Sequence, residues 1–549
     1  MQQINGEIMD WPIIYTIWGS NFNRKLVYLP YLSVSKPLSS VNQSVHLVFT
    51  LKLLRRQIAQ SHLYKHNTKF GDIVATSSTT TKPRDTWGSK LGFVMAAAGS
   101  AVGLGNIWKF PYTAGESGGG AFVLIYLLFV IFIGFSVMLT EFAVGRKTGV
   151  SAVGAFKNTD RRWSFVGVIG VFSGLLIMGF YPVVGGWAIA YIYKLSTGLL
   201  SAPDAIGDSF GAFISNPIEP LMWMGLYLLL NIAIVARGIS GGIEKAGKVL
   251  MPMLFVILII VSVKGMMLPG ASAGLEFLFK PDFSQVDSSV VLAALGQAFF
   301  SLSLGMGCMI TYGSYLKKKE NLVQTTAMVT AMDTSVAILA GLAMFPAMFA
   351  FGMAPAAGPG LVFVVVPQLF AEMGAVGLMF ALMFFVGLSV AALTSSVSLL
   401  EVVVSYLIDE KGLKRSSAVG LAATVMAVLC VFSSISLGGL GPQLFGTGAF
   451  DVFDLLTDKI FLAVGGMLIC IFAGWRLNRE DLEKEITNDG TIKFPLFGLW
   501  YNLVKYVIPF AVAIVAIAGI KAGFDSGKGA IMLIGLGVIV VSGFISKKL

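Results

Sequence analysis

The segment from Gly99 to Gly105 constrains the fold more than any other feature of this chain. It reads Gly-Ser-Ala-Val-Gly-Leu-Gly and lies in the middle of an apolar stretch long enough to cross a membrane. A helix is expected to break there, and lipid cannot satisfy the carbonyls and amides that such a break exposes. The break must be buried in protein or hold a polar group, so it is a candidate binding site.

Composition agrees with a membrane setting, since 56% of the 549 residues are hydrophobic and only 12% are charged. These values are typical of a polytopic membrane protein. Apolar stretches near the length that a bilayer requires predict an all-α protein with twelve transmembrane helices. They are centred near residues 102, 131, 178, 227, 255, 301, 336, 388, 426, 463, 510 and 538.

The charges between the predicted spans indicate their orientation. Lys and Arg are concentrated in the loops after spans 2, 4, 6, 8 and 10, whereas the loops after spans 3, 7 and 9 have essentially none. By the positive-inside rule, the even-numbered loops and both termini are predicted to be cytoplasmic. We therefore expect a multi-pass protein of the cell membrane, with the lipid bilayer as its surroundings.

Residues 1–84 differ in charge from the rest of the chain. They hold ten Lys and Arg against three acids, which accounts for +7 of the net charge of +10. The remaining excess is small, and the basic loop residues are explained by topology. The charge therefore gives no support to a nucleic-acid partner.

The same 84 residues contain no apolar run long enough to cross a membrane. The longest, Val45 to Leu54, is about half the required length, and no signal-peptide pattern is present. We interpret residues 1–84 as a disordered tail and residues 85–546 as the membrane domain. Deletion of residues 1–73 is expected to leave function intact, with a translation start near Val74 as one explanation.

Residues that commonly perform catalysis are scarce in the membrane domain. All three histidines, His46, His62 and His66, lie in the tail, and the three cysteines are scattered over different spans. This spacing predicts neither a disulfide framework nor a zinc site. A Ser–His pair cannot form within the membrane, so we expect that the protein is not an enzyme.

A second break is predicted in the sixth span, which reads Ser-Leu-Ser-Leu-Gly-Met-Gly over residues 301–307. Interruptions at matching positions of two halves mark the binding site of transporters built from inverted repeats. Spans 1–5 and 6–10 are the predicted repeats, with spans 11 and 12 outside them. The alternative is that the glycines only allow close helix packing, which two breaks in register make less favoured.

The segments around both breaks resemble the neurotransmitter:sodium symporter family. The matching segments are Trp87 to Gly120, Glu141 to Arg146, Tyr181 to Trp187, Phe299 to Tyr315 and Leu393 to Ser396. The resemblance covers residues 85 to about 546. It implies a leucine-transporter-like fold with a 5+5 inverted repeat, and sodium-coupled symport of a zwitterionic amino acid by alternating access.

The resemblance implies two sodium sites built from backbone and side-chain oxygens, with the sodium ions co-transported. The first takes the carbonyl of Ala101 with Asn106, Ser301 and Asp333, and is completed by the substrate carboxylate. The second takes the carbonyls of Gly99, Val102 and Ala391 with the hydroxyls of Thr394 and Ser395. Without the resemblance, these hydroxyls would be interpreted as bonded back to their own helix.

Asp333 is the most discriminating of these side chains. It lies in mid-span, where a carboxylate costs several kcal/mol unless it is paired. Family members with a neutral residue at this position need chloride to balance two sodium ions. This chain supplies its own anion, so chloride-independent transport is predicted. The alternative is a packed carboxylate satisfied by neighbouring hydroxyls.

The substrate carboxylate is expected at the first sodium ion and at the helix end exposed near the first break. By resemblance, the substrate pocket comprises Ala101, Gly103, Gly105, Ile177, Tyr181, Phe300, Ser303, Met306, Ser395 and Leu399. This apolar lining favours a hydrophobic or aromatic amino acid. Met306 replaces an aromatic residue of a leucine-transporting relative, and its flexibility is expected to widen the range of substrate sizes.

Two gates are implied on either side of this pocket. The outer gate pairs Lys109 with Asp454, below which Phe300 forms a lid over Tyr181. Lys109 replaces the usual arginine and loses its bidentate geometry. The inner gate comprises Arg84 and Asp409 with Trp87, Ser314, Tyr315 and Glu401.

Glu141 is expected to support the backbone of the broken sixth span, with an interfacial charge as the alternative. Two other functions remain open: a proton-coupled carrier in which Asp333 titrates, and an amino-acid receptor that does not transport. The exact amino acid, the sodium stoichiometry and the oligomeric state, a homodimer included, do not follow from the sequence.

Overall fold

The computed structural model of the chain describes residues 85–353 and 360–546. The predicted tail and its candidate start at Val74 lie outside the described residues, as does the predicted inner-gate residue Arg84.

Twelve helical spans follow one another in the part of the chain that the structure describes, at the positions that the sequence predicts. Eight are single helices long and apolar enough to cross a membrane, and the others are broken, bent or shorter. Numbered 1 to 12 in chain order, they are Lys90–Ala101 with Gly105–Glu116, Gly120–Thr148, Arg161–Ser196, Glu219–Val235, Ile239–Met266, Ser288–Ser301 with Cys308–Gly313, Leu322–Ala350, Gly374–Lys411, Arg415–Leu437, Ala449–Arg476, Phe497–Asp525 and Gly529–Ser546.

Shorter elements lie in the loops. They are the helices Ala152–Thr159, Ile206–Ser215, Ala271–Phe279, Leu361–Glu372 and Arg479–Thr487, the single turns Leu199–Ser201, Pro203–Ala205 and Phe283–Gln285, and an antiparallel pair of strands, Gln443–Leu444 and Thr447–Gly448. The loops after even-numbered spans lie on one face of the bundle, which we call the inner face. The opposite face is called the outer face.

Span 1 breaks where its three glycines predict. Its two halves meet at an angle of 49°, because Val102 leaves the first helix with an extended backbone, ψ 111°. The second half then restarts as a π-helical turn, Gly105–Lys109. A Cβ on Gly103 would lie 2.5 Å from the hydroxyl oxygen of Tyr181, so this position requires glycine for the close approach of another span.

Span 6 breaks in the matching place, between Ser301 and Cys308. Gly305 and Gly307 have φ values of 78° and 79°, and Ser303 has φ 53°, a left-handed conformation that is uncommon for a residue with a Cβ. Backbone in this region cannot continue an α-helix, which explains the interruption.

The two breaks meet in the interior of the bundle. The hydroxyl of Ser303 donates to the carbonyl of Ser100 at 2.8 Å, which joins the two spans directly. Both residues are buried. In contrast, spans 11 and 12 expose large apolar side chains such as Phe510 and Leu533, as expected for helices that face lipid.

Candidate ion and substrate site

Three polar side chains from spans 1, 6 and 7 meet at the breaks, and we call Asn106, Ser301 and Asp333 the charged cluster. The amide nitrogen of Asn106 donates to Asp333 Oδ1 at 2.8 Å, and the hydroxyl of Ser301 donates to Asp333 Oδ2 at 2.8 Å. All three residues are fully buried. The carboxylate thus receives hydrogen bonds from neutral donors only, among the contacts of the described residues.

Asn106 also connects the charged cluster to the backbone of the span 1 break. Its Nδ2 lies 2.9 Å from Ser301 Oγ, and its Oδ1 accepts from the backbone amide of Gly103 at 3.1 Å. The break therefore uses the asparagine as a substitute for the missing helical partner of that amide. The position of the charged cluster depends on the backbone of span 1.

A second group of oxygens lies between spans 1 and 8, and we call Gly99, Thr394 and Ser395 the neutral cluster. A Cβ on Gly99 would lie 2.9 Å from Cβ of Thr394, so the two spans are in direct contact. The Thr394 hydroxyl donates to the carbonyls of Val390 and Ala391 at 3.1 Å each. This is the back-bonding expected for hydroxyls in membrane helices, and it leaves the lone pairs of the hydroxyl oxygen available.

Tyr181 of span 3 and Ser395 of span 8 approach the first break at Gly103. The backbone amide of Leu104 donates to the Tyr181 hydroxyl at 2.9 Å. A Cβ on Gly103 would lie 2.9 Å from Ser395 Oγ. Tyr181 therefore satisfies one of the amides freed by the break, and both hydroxyls lie at its edge.

The apolar residues predicted for the pocket are placed around the same breaks. Ile177, Met306 and Leu399 are almost fully buried. Leu399 faces Gly174 of span 3, and Phe300 is packed on Gly105, where an added Cβ would lie 2.8 Å from the ring. Ala101, Val102 and Ala391 are buried backbone neighbours of the two clusters.

Two side chains support the broken backbone. Glu141 Oε1 accepts from the amide of Gly305 at 2.8 Å, so its contact is with the span 6 break, as the resemblance implied. Gln297 donates from Nε2 to the carbonyl of Gly105 at 2.8 Å. Gln297 could not be identified from the sequence, because a lone glutamine in an apolar helix has no pattern that marks it.

The outer ion pair differs from the predicted one. Lys109 pairs with Asp458, four residues after the predicted partner Asp454, and its Nζ lies 4.3 Å from the ring centroid of Phe300. Asp458 belongs to a π-helical turn, Thr457–Phe461. Such a turn changes which residues share a face of the helix, so the predicted pairing of Lys109 with Asp454 is corrected to Asp458.

The inner side of the site is closed by aromatic and polar contacts. The indole nitrogen of Trp87 donates to the carbonyl of Tyr312 at 3.0 Å, and the rings of Trp87 and Tyr315 meet edge to face at 6.4 Å. The Tyr315 hydroxyl donates to Glu401 Oε1 at 2.8 Å. These contacts connect the start of span 1 to spans 6 and 8.

Charged groups extend this inner network. Arg415 of span 9 lies 2.5 Å from Glu401 Oε2 and 3.9 Å from Asp85; the sequence analysis did not identify Arg415. Asp409 accepts from the backbone amide of Ser151 at 2.6 Å, while its predicted partner Arg84 lies outside the described residues. Ser314 donates to the carbonyl of Thr311 at 2.6 Å.

Comparisons with known proteins agree with this architecture. The sequence model of the sodium:neurotransmitter symporter family matches residues 84–203 and 214–527. The chain is 39% identical to the uncharacterized sodium-dependent transporter YhdH of Bacillus subtilis, over 78% of this chain and 96% of that protein. It is 37% identical to an uncharacterized sodium-dependent transporter of Haemophilus influenzae, over 81% of this chain and all of that protein.

A solved structure is also similar. The crystal structure of MhsT in complex with L-phenylalanine has 43% sequence identity and a TM-score of 0.74, and the match covers 79% of this chain and all of that one. This likeness confirms the predicted fold class, an all-α membrane protein of twelve helices with a 5+5 inverted repeat and breaks in spans 1 and 6. The family model and the two relatives, which are matched over nearly their whole length, agree with this structural likeness. The chain belongs to the sodium:neurotransmitter symporter family of sodium-dependent transporters.

Proposed function

We propose that this protein is a sodium-coupled symporter that imports a zwitterionic, hydrophobic or aromatic amino acid by alternating access, without a need for chloride. The observation that supports this most strongly is Asp333, a fully buried carboxylate held by one amide and one hydroxyl. A charge at that depth is costly unless a cation is paired with it. A bound sodium ion supplies that cation.

The first sodium ion is assigned to the charged cluster, with the carbonyl of Ala101 and the substrate carboxylate as further ligands. In the structure, the amide nitrogen of Asn106 faces Asp333. Sodium accepts only oxygen ligands here, so binding turns the amide and brings Oδ1 toward the ion. The amide of Gly103, which now donates to Oδ1, then becomes available to the substrate carboxylate.

The second sodium ion is assigned to the neutral cluster, with the carbonyls of Val102 and Ala391. Hydroxyl and carbonyl oxygens bind sodium without adding negative charge. The contact between Gly99 and Thr394 places the end of the first half of span 1 against span 8. An ion at this position links the two spans and favours the closed arrangement.

The substrate is proposed to lie between the two breaks, with its carboxylate at Gly103 to Gly105 and at the Tyr181 hydroxyl. The buried Ile177, Met306 and Leu399 provide an apolar surface for its side chain, together with Phe300, Ser303 and Ser395. The similar MhsT structure contains L-phenylalanine, which supports an amino acid with a large apolar side chain.

Access is proposed to alternate between two closures. On the outer face, Lys109 and Asp458 close over the ring of Phe300. On the inner face, Trp87 and Tyr315 connect the start of span 1 to span 6, with Asp409 and Arg84 as the proposed inner ion pair. Both termini are proposed to be cytoplasmic, with the basic loops on the cytoplasmic side of the cell membrane.

The test is uptake of labelled phenylalanine, leucine and tryptophan into proteoliposomes under an inward sodium gradient, an inward proton gradient, or neither. We expect accumulation above equilibrium only with the sodium gradient, and collapse of the accumulation when sodium is equal on both sides. Accumulation under a proton gradient alone would support the proton-coupled alternative. Binding of these amino acids without accumulation under any gradient would support a receptor.

A further inference from the structure

A single carboxylate of span 5 holds the beginning of span 1. Glu244 Oε2 accepts from the backbone amide of Gly88 at 2.6 Å, and Oε1 accepts from the hydroxyl of Ser89 at 2.9 Å. The side chain of Glu244 is only 3% exposed. The proposed ion and substrate sites make no use of this residue.

The contact is close because span 1 has a glycine where the carboxylate lies. A Cβ on Gly92 would be 2.1 Å from Glu244 Oε1, so any other residue would displace the glutamate. Ser89 caps the same helix by accepting from the amide of Gly92 at 3.0 Å. The serine hydroxyl thus connects the helix end to the carboxylate, and a negative charge at a helix N-terminus is favourable.

The charge of Glu244 is balanced within its own helix. Lys248, one turn further along span 5, lies 2.6 Å from Oε1 and is 39% exposed. The lysine therefore pairs with the glutamate from the side of the solvent, while both contacts of the glutamate with span 1 are half-buried. The ion pair with Lys248 and the contacts with span 1 can therefore be tested separately.

The helix held in this way is mechanically distinct from the rest of span 1. The break at residues 102–104 separates Lys90–Ala101 from the second half, and the two halves meet at 49°. Opening of the site toward the inner face requires movement of a helix on that side, and a helix that ends at a break can pivot without the other half. Its contact with span 5 must then be released.

We propose that Glu244 is a positioning residue, which latches the first half of span 1 to span 5 and thereby sets how often the site opens to the inner face. This inference deepens the proposed alternating access and rests on it. The latch works through hydrogen bonds to Gly88 and Ser89, and its release lets the inner ends of spans 1, 6 and 8 separate.

The native Cys308 reports such an opening. It begins the second half of span 6 and is fully buried, with its sulfur 3.6 Å from the hydroxyl of Ser398 in span 8. Cys470 in span 10 is also fully buried and serves as the internal control for global unfolding. Labelling of each thiol by N-ethylmaleimide is followed separately by mass spectrometry, on full-length protein in sodium-free detergent solution.

In Glu244→Gln and Glu244→Ala we expect Cys308 to be labelled about ten-fold faster than in the unmodified protein, the population change that loss of a charged hydrogen bond produces. The rate at Cys470 is expected to stay unchanged. Glu244→Gln keeps the shape of the side chain, so it remains informative if the alanine variant does not fold. Unchanged labelling of Cys308, or equal acceleration at both thiols, would overturn the proposal.

Two control variants separate the latch from other effects. Glu219→Gln also changes an acid at the start of a helix that pairs with a lysine, Lys194 at 2.8 Å, but on the opposite face. Lys248→Gln removes the ion pair of Glu244 and keeps its contacts with span 1. Both are expected to leave Cys308 labelling near that of the unmodified protein. Equal acceleration by Lys248→Gln would show that the pair within span 5 controls the opening, and would overturn the latch.

The labelling experiment needs neither sodium nor substrate. Failure of sodium-driven uptake by the unmodified protein would therefore contradict the proposed function without altering the labelling result. Conversely, normal uptake with unchanged labelling in the Glu244 variants would contradict the latch alone.

Discussion

The charged cluster and the neutral cluster both lie beside the break of span 1 but differ in chemistry. The charged cluster has a buried carboxylate that receives hydrogen bonds from Asn106 and Ser301. The neutral cluster has only hydroxyl and backbone oxygens, and Thr394 is already bonded to its own helix. The difference indicates that charge balance is provided in one cluster only.

This division has a consequence for transport energetics. A cation at the charged cluster is neutralised by Asp333, whereas a cation at the neutral cluster adds a net positive charge to the loaded protein. Each net charge that moves inward gains about 2.3 kcal/mol per 100 mV of membrane potential. In the proposed cycle, the membrane potential therefore acts on the loaded protein through the ion at the neutral cluster, and on the empty protein through the uncompensated charge of Asp333.

The largest expected effect is at Asp333. Asp333→Asn removes the only carboxylate of the charged cluster, so sodium affinity is expected to fall about ten-fold or more, the usual consequence of losing a charged partner. Chloride is expected to restore part of the uptake, since a mobile anion then replaces the fixed one. The measurement is phenylalanine uptake against sodium concentration, in chloride and in gluconate. Unchanged sodium affinity in both anions would show that Asp333 is only a packing residue.

An intermediate effect is expected at the neutral cluster. Thr394→Val keeps the shape of the side chain but removes the hydroxyl, and sodium affinity is expected to fall about three- to ten-fold. Uptake is expected to remain indifferent to chloride, because no charge is lost. Ser389→Ala is the matched control: this serine is on the same span and is bonded back to the carbonyl of Phe385 at 2.8 Å. A chloride requirement in Thr394→Val would remove the distinction between the clusters.

The smallest expected effect is at the substrate side. Tyr181→Phe removes the hydroxyl that now accepts from the amide of Leu104. The KM for phenylalanine is expected to rise by about two-fold, the lower end of what one neutral hydrogen bond contributes. Sodium binding at the neutral cluster is expected to stay the same. A lower sodium affinity without any change in KM would place the tyrosine at an ion rather than at the substrate.

The fold followed from the sequence because its determinants are local. Gly99, Gly103 and Gly105 lie close together in span 1, as Gly305 and Gly307 do in span 6, and each group marks a break that lipid cannot tolerate. The mid-span position of Asp333 could be predicted from the extent of its apolar stretch alone. The assignment of individual oxygens to sodium came from the family resemblance, and it stays a prediction.

The residues that sequence analysis missed or misplaced depend on distant contacts. Glu244, Gln297 and Arg415 each bind a segment more than a hundred residues away, and no spacing pattern connects such partners. Asp454 and Asp458 are one turn apart, so the sequence offers two acids on one helix side. The π-helical turn at Thr457–Phe461 selects the second one, and no local pattern predicts that turn.

The most direct test of the proposed chloride-independent symport compares sodium-driven uptake of phenylalanine by the unmodified protein in chloride and in gluconate. Proteoliposomes are prepared with the same anion on both sides, an inward sodium gradient and a membrane potential that is negative inside. We expect equal accumulation in the two anions, and none when potassium replaces sodium, because Asp333 is proposed to supply the negative charge that balances the first ion. Accumulation that requires chloride, or that persists without sodium, would contradict the proposal.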